Sequence, residues 1–144
     1  MKASDRLIAR LKQFEGLRTE AYRCPAGRWT IGYGHTLTAH EGMIITEEQA
    51  DHLLREDVNV VEQWLTAQNI VTEQHQFDAL VSFIFNLGIG TFCSSTLRKV
   101  LRRGGSSEEI REQWCRWVYA GGSRLAGLMR RRSWEVNLFI NGEY

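Results

Sequence analysis

A chain of 144 residues with 43% hydrophobic and 24% charged side chains has the size and composition of one compact globular domain, which excludes a disordered or fibrous protein. A net charge of +1 excludes bulk binding to polyanions, so no nucleic-acid partner is expected. One proline leaves no Pro-rich linker, and five Trp, four Tyr and six Phe supply the bulk for a core.

The halves differ in charge. Residues 1–72 sum to −2 and residues 73–144 to +3, and Arg130, Arg131 and Arg132 account for most of the excess. That run reads as a solvated helix face or as a rim facing an anionic substrate. No stretch approaches the roughly 20 apolar residues of a membrane span. The N-terminus mixes charges at helical spacing without an apolar signal core. The expectation is a soluble monomer without an export signal of its own and without membrane insertion by itself. Three cysteines at no metal-ligand spacing read as free thiols in a reducing compartment. With no HExxH, no Cys-x-x-Cys and no Gly-rich phosphate loop, neither a metal nor a cofactor is expected.

In chain order, Leu7, Ile8, Leu11 and Phe14 follow the spacing of an amphipathic helix, and Gly16 stops it. Residues 17–37 alternate and are broken by Pro25 and Gly27, which predicts a small hairpin or three-stranded sheet. Thr46-Glu47-Glu48-Gln49 is a capping box opening a long helix over 46–67, with Ala50, Leu53, Leu54, Val58, Val61, Trp64 and Leu65 on its apolar stripe. Phe77, Leu80, Val81, Ile84 and Phe85 mark a third helix, apolar almost all round and so the centre of a bundle. Gly88-Ile89-Gly90 ends it. A short helix starts at Ser94 or Ser95 and stops at Gly104-Gly105. Ser106-Ser107-Glu108-Glu109 is a second capping box. A glycine break at 121–122 precedes a last helix from about Leu125 to Ile140. The fold class is α+β, mostly helical: one domain over 1–144 with a β-lobe at about 17–45, a linking helix at about 46–67, and a helical lobe at about 70–144.

Glu15 closes the first helix, where the negative end of the helix dipole disfavours a carboxylate. In a cleft beside Phe14 such a side chain tends to stay protonated, as a general acid must. In Thr30-Ile31-Gly32-Tyr33-Gly34-His35, strand alternation puts Thr30, Gly32 and Gly34 on one face, with room above the glycines for a bulky substrate. An equally open reading is close packing of another strand. Cys24 lies in a turn before Pro25, partly exposed. Cys93 and Cys115 read as packing residues.

These residues carry a resemblance. Glu15-Gly16, Tyr22-Arg23-Cys24 and Trp29 through Thr36 resemble the active-site segment of the phage lysozymes, or endolysins, of glycoside hydrolase family 24. Its pattern is Glu, eight residues, Asp or Cys, five residues, Thr, which Glu15, Cys24 and Thr30 fit without a gap. The match continues through Gln76–Phe83, Phe85–Gly88, Ser94–Leu97, Trp117–Gly122 and Gly127–Arg132, over nearly the whole chain. It implies the two-lobed lysozyme fold, with peptidoglycan as substrate and the β-1,4 bond between N-acetylmuramic acid and N-acetylglucosamine as the bond cut. It implies Glu15 as proton donor, Thr30 as the residue placing the attacking water, and Gly34, His35, Thr36, Phe85, Asn86 and Thr96 as substrate contacts. It also implies synthesis in the host cytoplasm, release through a holin pore and action on the periplasmic wall. Many relatives have aspartate where this chain has Cys24, so the thiol stands as base or nucleophile, and inversion and retention stay open. The rivals are a cysteine amidase or peptidase built on Cys24, a lytic transglycosylase, and a wall-binding module without turnover.

Overall fold

The computed structural model describes residues Met1–Tyr144. Its elements are α1 (Asp5–Glu15), β1 (Arg18–Arg23), β2 (Trp29–Gly32), α2 (Glu47–Gln68), α3 (Gln74–Leu87), α4 (Ile89–Cys93), α5 (Thr96–Arg102), α6 (Ser107–Trp114), β3 (Tyr119–Ala120), β4 (Ser123–Arg124) and α7 (Ala126–Asn141). The chain divides into two compact units, one of Asp5–Val60 and one of Met1–Ser4 with Val61–Tyr144. No helix is long and apolar enough to cross a membrane.

In the first unit, α1 buries Leu7, Ile8 and Leu11. It ends because Gly16 enters the left-handed region at φ +70° while its N–H returns to the Lys12 carbonyl at 2.9 Å. β1 and β2 pair antiparallel, Tyr22 opposite Thr30 and Arg23 opposite Trp29. A third edge comes from residues 43–45: Ala21 N–H donates to the Met43 carbonyl and Ile45 N–H to that of Thr19, both at 2.9 Å. β2 stops at Gly32 instead of running on through Gly34. With φ of +65° at Gly32 and +83° at Gly34, the chain reverses, and Ile31 and His35 exchange both backbone hydrogen bonds at 2.9 Å. Thr30, Gly32 and Gly34 therefore do not share one strand face. Gly32 meets α2 instead: a Cβ there would lie 3.3 Å from the Ala50 methyl.

Both arms of the capping box at α2 are formed, Thr46 N–H to Gln49 Oε1 at 2.9 Å and Gln49 N–H to Thr46 Oγ1 at 3.1 Å. The helix runs unbroken for 22 residues, about 33 Å. It buries Ala50, Leu54 and Val58 in the first unit, then Val61 and Leu65 in the second.

In the second unit, α3 is buried without interruption from Phe77 to Ile84, as its all-round apolar sequence predicts. Phe83 meets Phe92 and Trp114 edge-on, at 6.0 and 5.3 Å between ring centroids. Two features were illegible in the sequence. The Gly88 stop is followed at once by the single turn of α4, and the glycine break at 121–122 is the tip of the β3–β4 hairpin, with Tyr119 opposite Arg124. Cys93 is exposed, against the expectation of packing, whereas Cys115 is half-buried and burial raises its thiol pKa.

The reading of Arg130–Arg132 as a solvated face or rim fails for two of the three. Arg131 and Arg132 are only 4% and 0% exposed. The cause is Glu135, itself fully buried. It accepts from Ser82 Oγ at 2.5 Å, Trp114 Nε1 at 3.1 Å and Arg131 Nε at 3.3 Å, and Arg132 Nε lies 3.0 Å away. A buried carboxylate needs such partners, since an unpaired charge is far too costly to desolvate.

Candidate active site

The first unit holds Glu15, Cys24, Thr30, Gly34, His35 and Thr36; the second holds Phe85, Asn86 and Thr96.

Glu15 is half-buried at the last position of α1. The reversal at Gly32–Gly34 brings backbone up to its carboxyl: a Cβ on Gly34 would stand 3.4 Å from Glu15 Oε1 and 3.8 Å from its Cδ. Glycine serves Gly34 twice, through its positive φ and through the space it leaves beside the carboxyl.

Cys24 follows β1 and opens a tight turn, with Cys24 N–H donating to the Arg28 carbonyl at 2.9 Å and Gly27 N–H to the Cys24 carbonyl at 2.8 Å. The turn aims amides at the half-buried sulfur. The Arg28 N–H is the main influence holding the thiol below its usual pKa; partial burial opposes it, and the Ala26 N–H and Thr30 hydroxyl add to the lowering. The turn therefore stabilises the thiolate relative to that of an ordinary cysteine. Thr30 is buried. Its hydroxyl donates to the Arg28 carbonyl at 3.1 Å.

His35 lies deeper than its neighbours Gly34 and Thr36. It is 3% exposed; Nδ1 lies 2.8 Å from the Asp57 carboxylate and Nε2 2.7 Å from Thr38 Oγ1. Nε2 also accepts the Thr38 N–H at 3.2 Å. With both nitrogens engaged and the ring buried, the side chain ties the segment after Gly34 to Asp57 of α2. Thr36, next along, is half-buried.

In the second unit, Phe85 and Asn86 are half-buried near the end of α3. Thr96 is exposed at the start of α5, behind the Ser95 cap that accepts Arg98 N–H at 3.2 Å. Asn86 Oδ1 accepts from Arg132 Nη2 at 2.5 Å. Sequence reasoning missed the Arg28 and Ala26 amides, Asp57 and Arg132. Of these only Arg132 left a trace, its i, i+3 spacing to Glu135.

A family model described as phage lysozyme matches residues 12–135. The endolysin of Acyrthosiphon pisum secondary endosymbiont phage 1 is 43% identical over 144 residues, covering 96% of this chain and 98% of that protein. The endolysin of Bacillus phage B103 is 41% identical over 99% of this chain, which spans 56% of that longer protein. Among solved structures, the muramidase domain of SpmX from Asticaccaulis excentricus superposes with a TM-score of 0.85 at 41% identity, covering 97% of this chain and 98% of that one.

Proposed function

The chain belongs to the phage lysozyme family, and from that premise we propose that it hydrolyses peptidoglycan as an endolysin, cutting the β-1,4 bond between N-acetylmuramic acid and N-acetylglucosamine. The whole chain acts as one catalytic domain and as a monomer. It is made in the host cytoplasm and reaches the wall through a holin pore.

The observation that carries the reading is the Glu15 carboxyl lodged over Gly34, in the same unit as a turn that lowers the pKa of the Cys24 thiol. Glu15 protonates the glycosidic oxygen as the bond to the anomeric carbon breaks. Water adds to that carbon, and Cys24 as thiolate takes the proton the water loses. Thr30 orients the water and, through its hydroxyl, the sulfur. Both groups then return to their starting states by proton exchange with solvent. A thiolate attacking the sugar would leave a thioglycoside, whose sulfur is a poor target for acid-assisted departure. The base role toward water, with inversion at the anomeric carbon, is therefore the better use of this group. A cysteine amidase is less well supported, because Cys24 occupies a turn after a strand and not a helix N-terminus.

The test is Glu15→Gln, which keeps the shape and removes the transferable proton. Activity on purified sacculi should fall at least 10²-fold with the melting temperature unchanged. A folded variant that clears walls at the wild-type rate would remove Glu15 from the mechanism.

A further inference from the structure

Arg132 is fully buried. Its Nε lies 3.0 Å from Glu135 Oε1, and its Nη2 donates to Asn86 Oδ1 at 2.5 Å. Its guanidinium also stands over the Phe83 ring, 5.1 Å from the centroid. Glu135 is itself pinned by Ser82, Trp114 and Arg131. The guanidinium therefore has little freedom to turn.

This fixes a direction at Asn86. A guanidinium only donates and has no acceptor, so the amide must turn its oxygen to Arg132. The planar amide then holds its NH₂ on the opposite side. Asn86 is half-exposed, and its Nδ2 is neither bonded to a protein group nor among the buried polar atoms left without a partner. A held N–H donor thus meets solvent beside Phe85. A group that only donates suits a ligand atom that only accepts. On a glycan of N-acetylated sugars the strongest neutral atom of that kind is the acetamido carbonyl oxygen; ring and glycosidic oxygens accept more weakly, and a hydroxyl would serve either polarity.

We infer that Arg132 is a positioning residue that locks the Asn86 amide so that its NH₂ donates to an acetamido carbonyl of the glycan. The inference rests on the muramidase reading and adds to it the polarity of one contact and the residue that sets it.

Asn86→Asp, and Arg132→Lys in the wild-type and Asn86→Ala backgrounds, test it, read by KM and kcat on peptidoglycan and by NMR titration with tri-N-acetylchitotriose. Asn86→Asp keeps an oxygen facing Arg132 and exchanges the donor for an acceptor. It should fold with an unchanged or higher melting temperature, yet raise KM and the trisaccharide Kd by about 10-fold or more, with kcat within about 2-fold. Arg132→Lys keeps the charge beside Glu135 and loses the fork that reaches Asn86. It should raise KM several-fold in the wild-type background and have no further effect in Asn86→Ala. A general structural role for Arg132 would instead give the same change in both backgrounds. Normal trisaccharide binding by Asn86→Asp, or an Arg132→Lys effect that persists in Asn86→Ala, overturns the inference. Failure of the muramidase reading would look different: the wild type itself would release no reducing ends.

Discussion

At the scale of single residues, the chemistry turns on Cys24. Amides of Arg28 and Ala26 and the Thr30 hydroxyl lower its pKa, so the thiolate persists to lower pH than an ordinary thiol allows. If the thiolate is the working base, activity is lost as pH falls through that lowered pKa. Removing a stabilising donor must then move the acidic limb to higher pH. Thr30→Val should shift the limb upward, in step with the pH profile of iodoacetamide labelling at Cys24; a limb that stays put while labelling shifts would separate the thiol from catalysis. Cys24→Ser should lose most activity, because a hydroxyl is much harder to ionise, and Cys24→Asp should retain a measurable part. A fully active Cys24→Ser enzyme would leave Glu15, Thr30 and water as the working set. Gly34→Ala forces a side chain into the left-handed region beside the Glu15 carboxyl. It should cost about 1–2 kcal/mol and reduce kcat, measurable by urea denaturation and sacculus turnover.

At the scale of elements, α2 and α7 decide the fold. α2 is continuous from Glu47 to Gln68 with Val58 1% exposed. Val58→Pro should therefore cost about 3 kcal/mol or more, and a loss below about 1 kcal/mol by denaturant titration would mean the helix is not needed intact there. The long helix was legible because its capping box and apolar stripe are local signals that agree with its tertiary burial. The α7 arginines were not. Three successive arginines resemble a wet surface, and only the burial of Glu135, four residues after Arg131, turns two of them inward. The Gly32–Gly34 reversal was read as strand for a related reason: alternation cannot tell a strand from a turn whose glycines sit at positive φ. Glu15, Cys24 and Thr30 could be singled out together only because their spacing matches the pattern of the family that the chain resembles. The supports around them, the Arg28 amide and Asp57, depend on turn geometry and on a helix distant in sequence, which leave no local pattern.

At the scale of the whole molecule, one buried carboxylate gathers both chain ends. Asp78 accepts from Ser4 N–H and Oγ, Gln74 Nε2 and the Tyr144 hydroxyl, so residues 1–4 belong to the unit of Val61–Tyr144. Asp78→Asn places an NH₂ among donors and should lower stability by about 1–3 kcal/mol, seen as a lower urea midpoint with unchanged slope. An unchanged midpoint would show that the chain ends are held by other contacts. Which bond is cut is read out by mass spectrometry of the muropeptides released from purified sacculi. A muramidase releases fragments ending in reducing N-acetylmuramic acid, each heavier by one water than its anhydro form, with no new free amines. Anhydro-muramic ends, or new amino groups without new reducing ends, would contradict the muramidase reading.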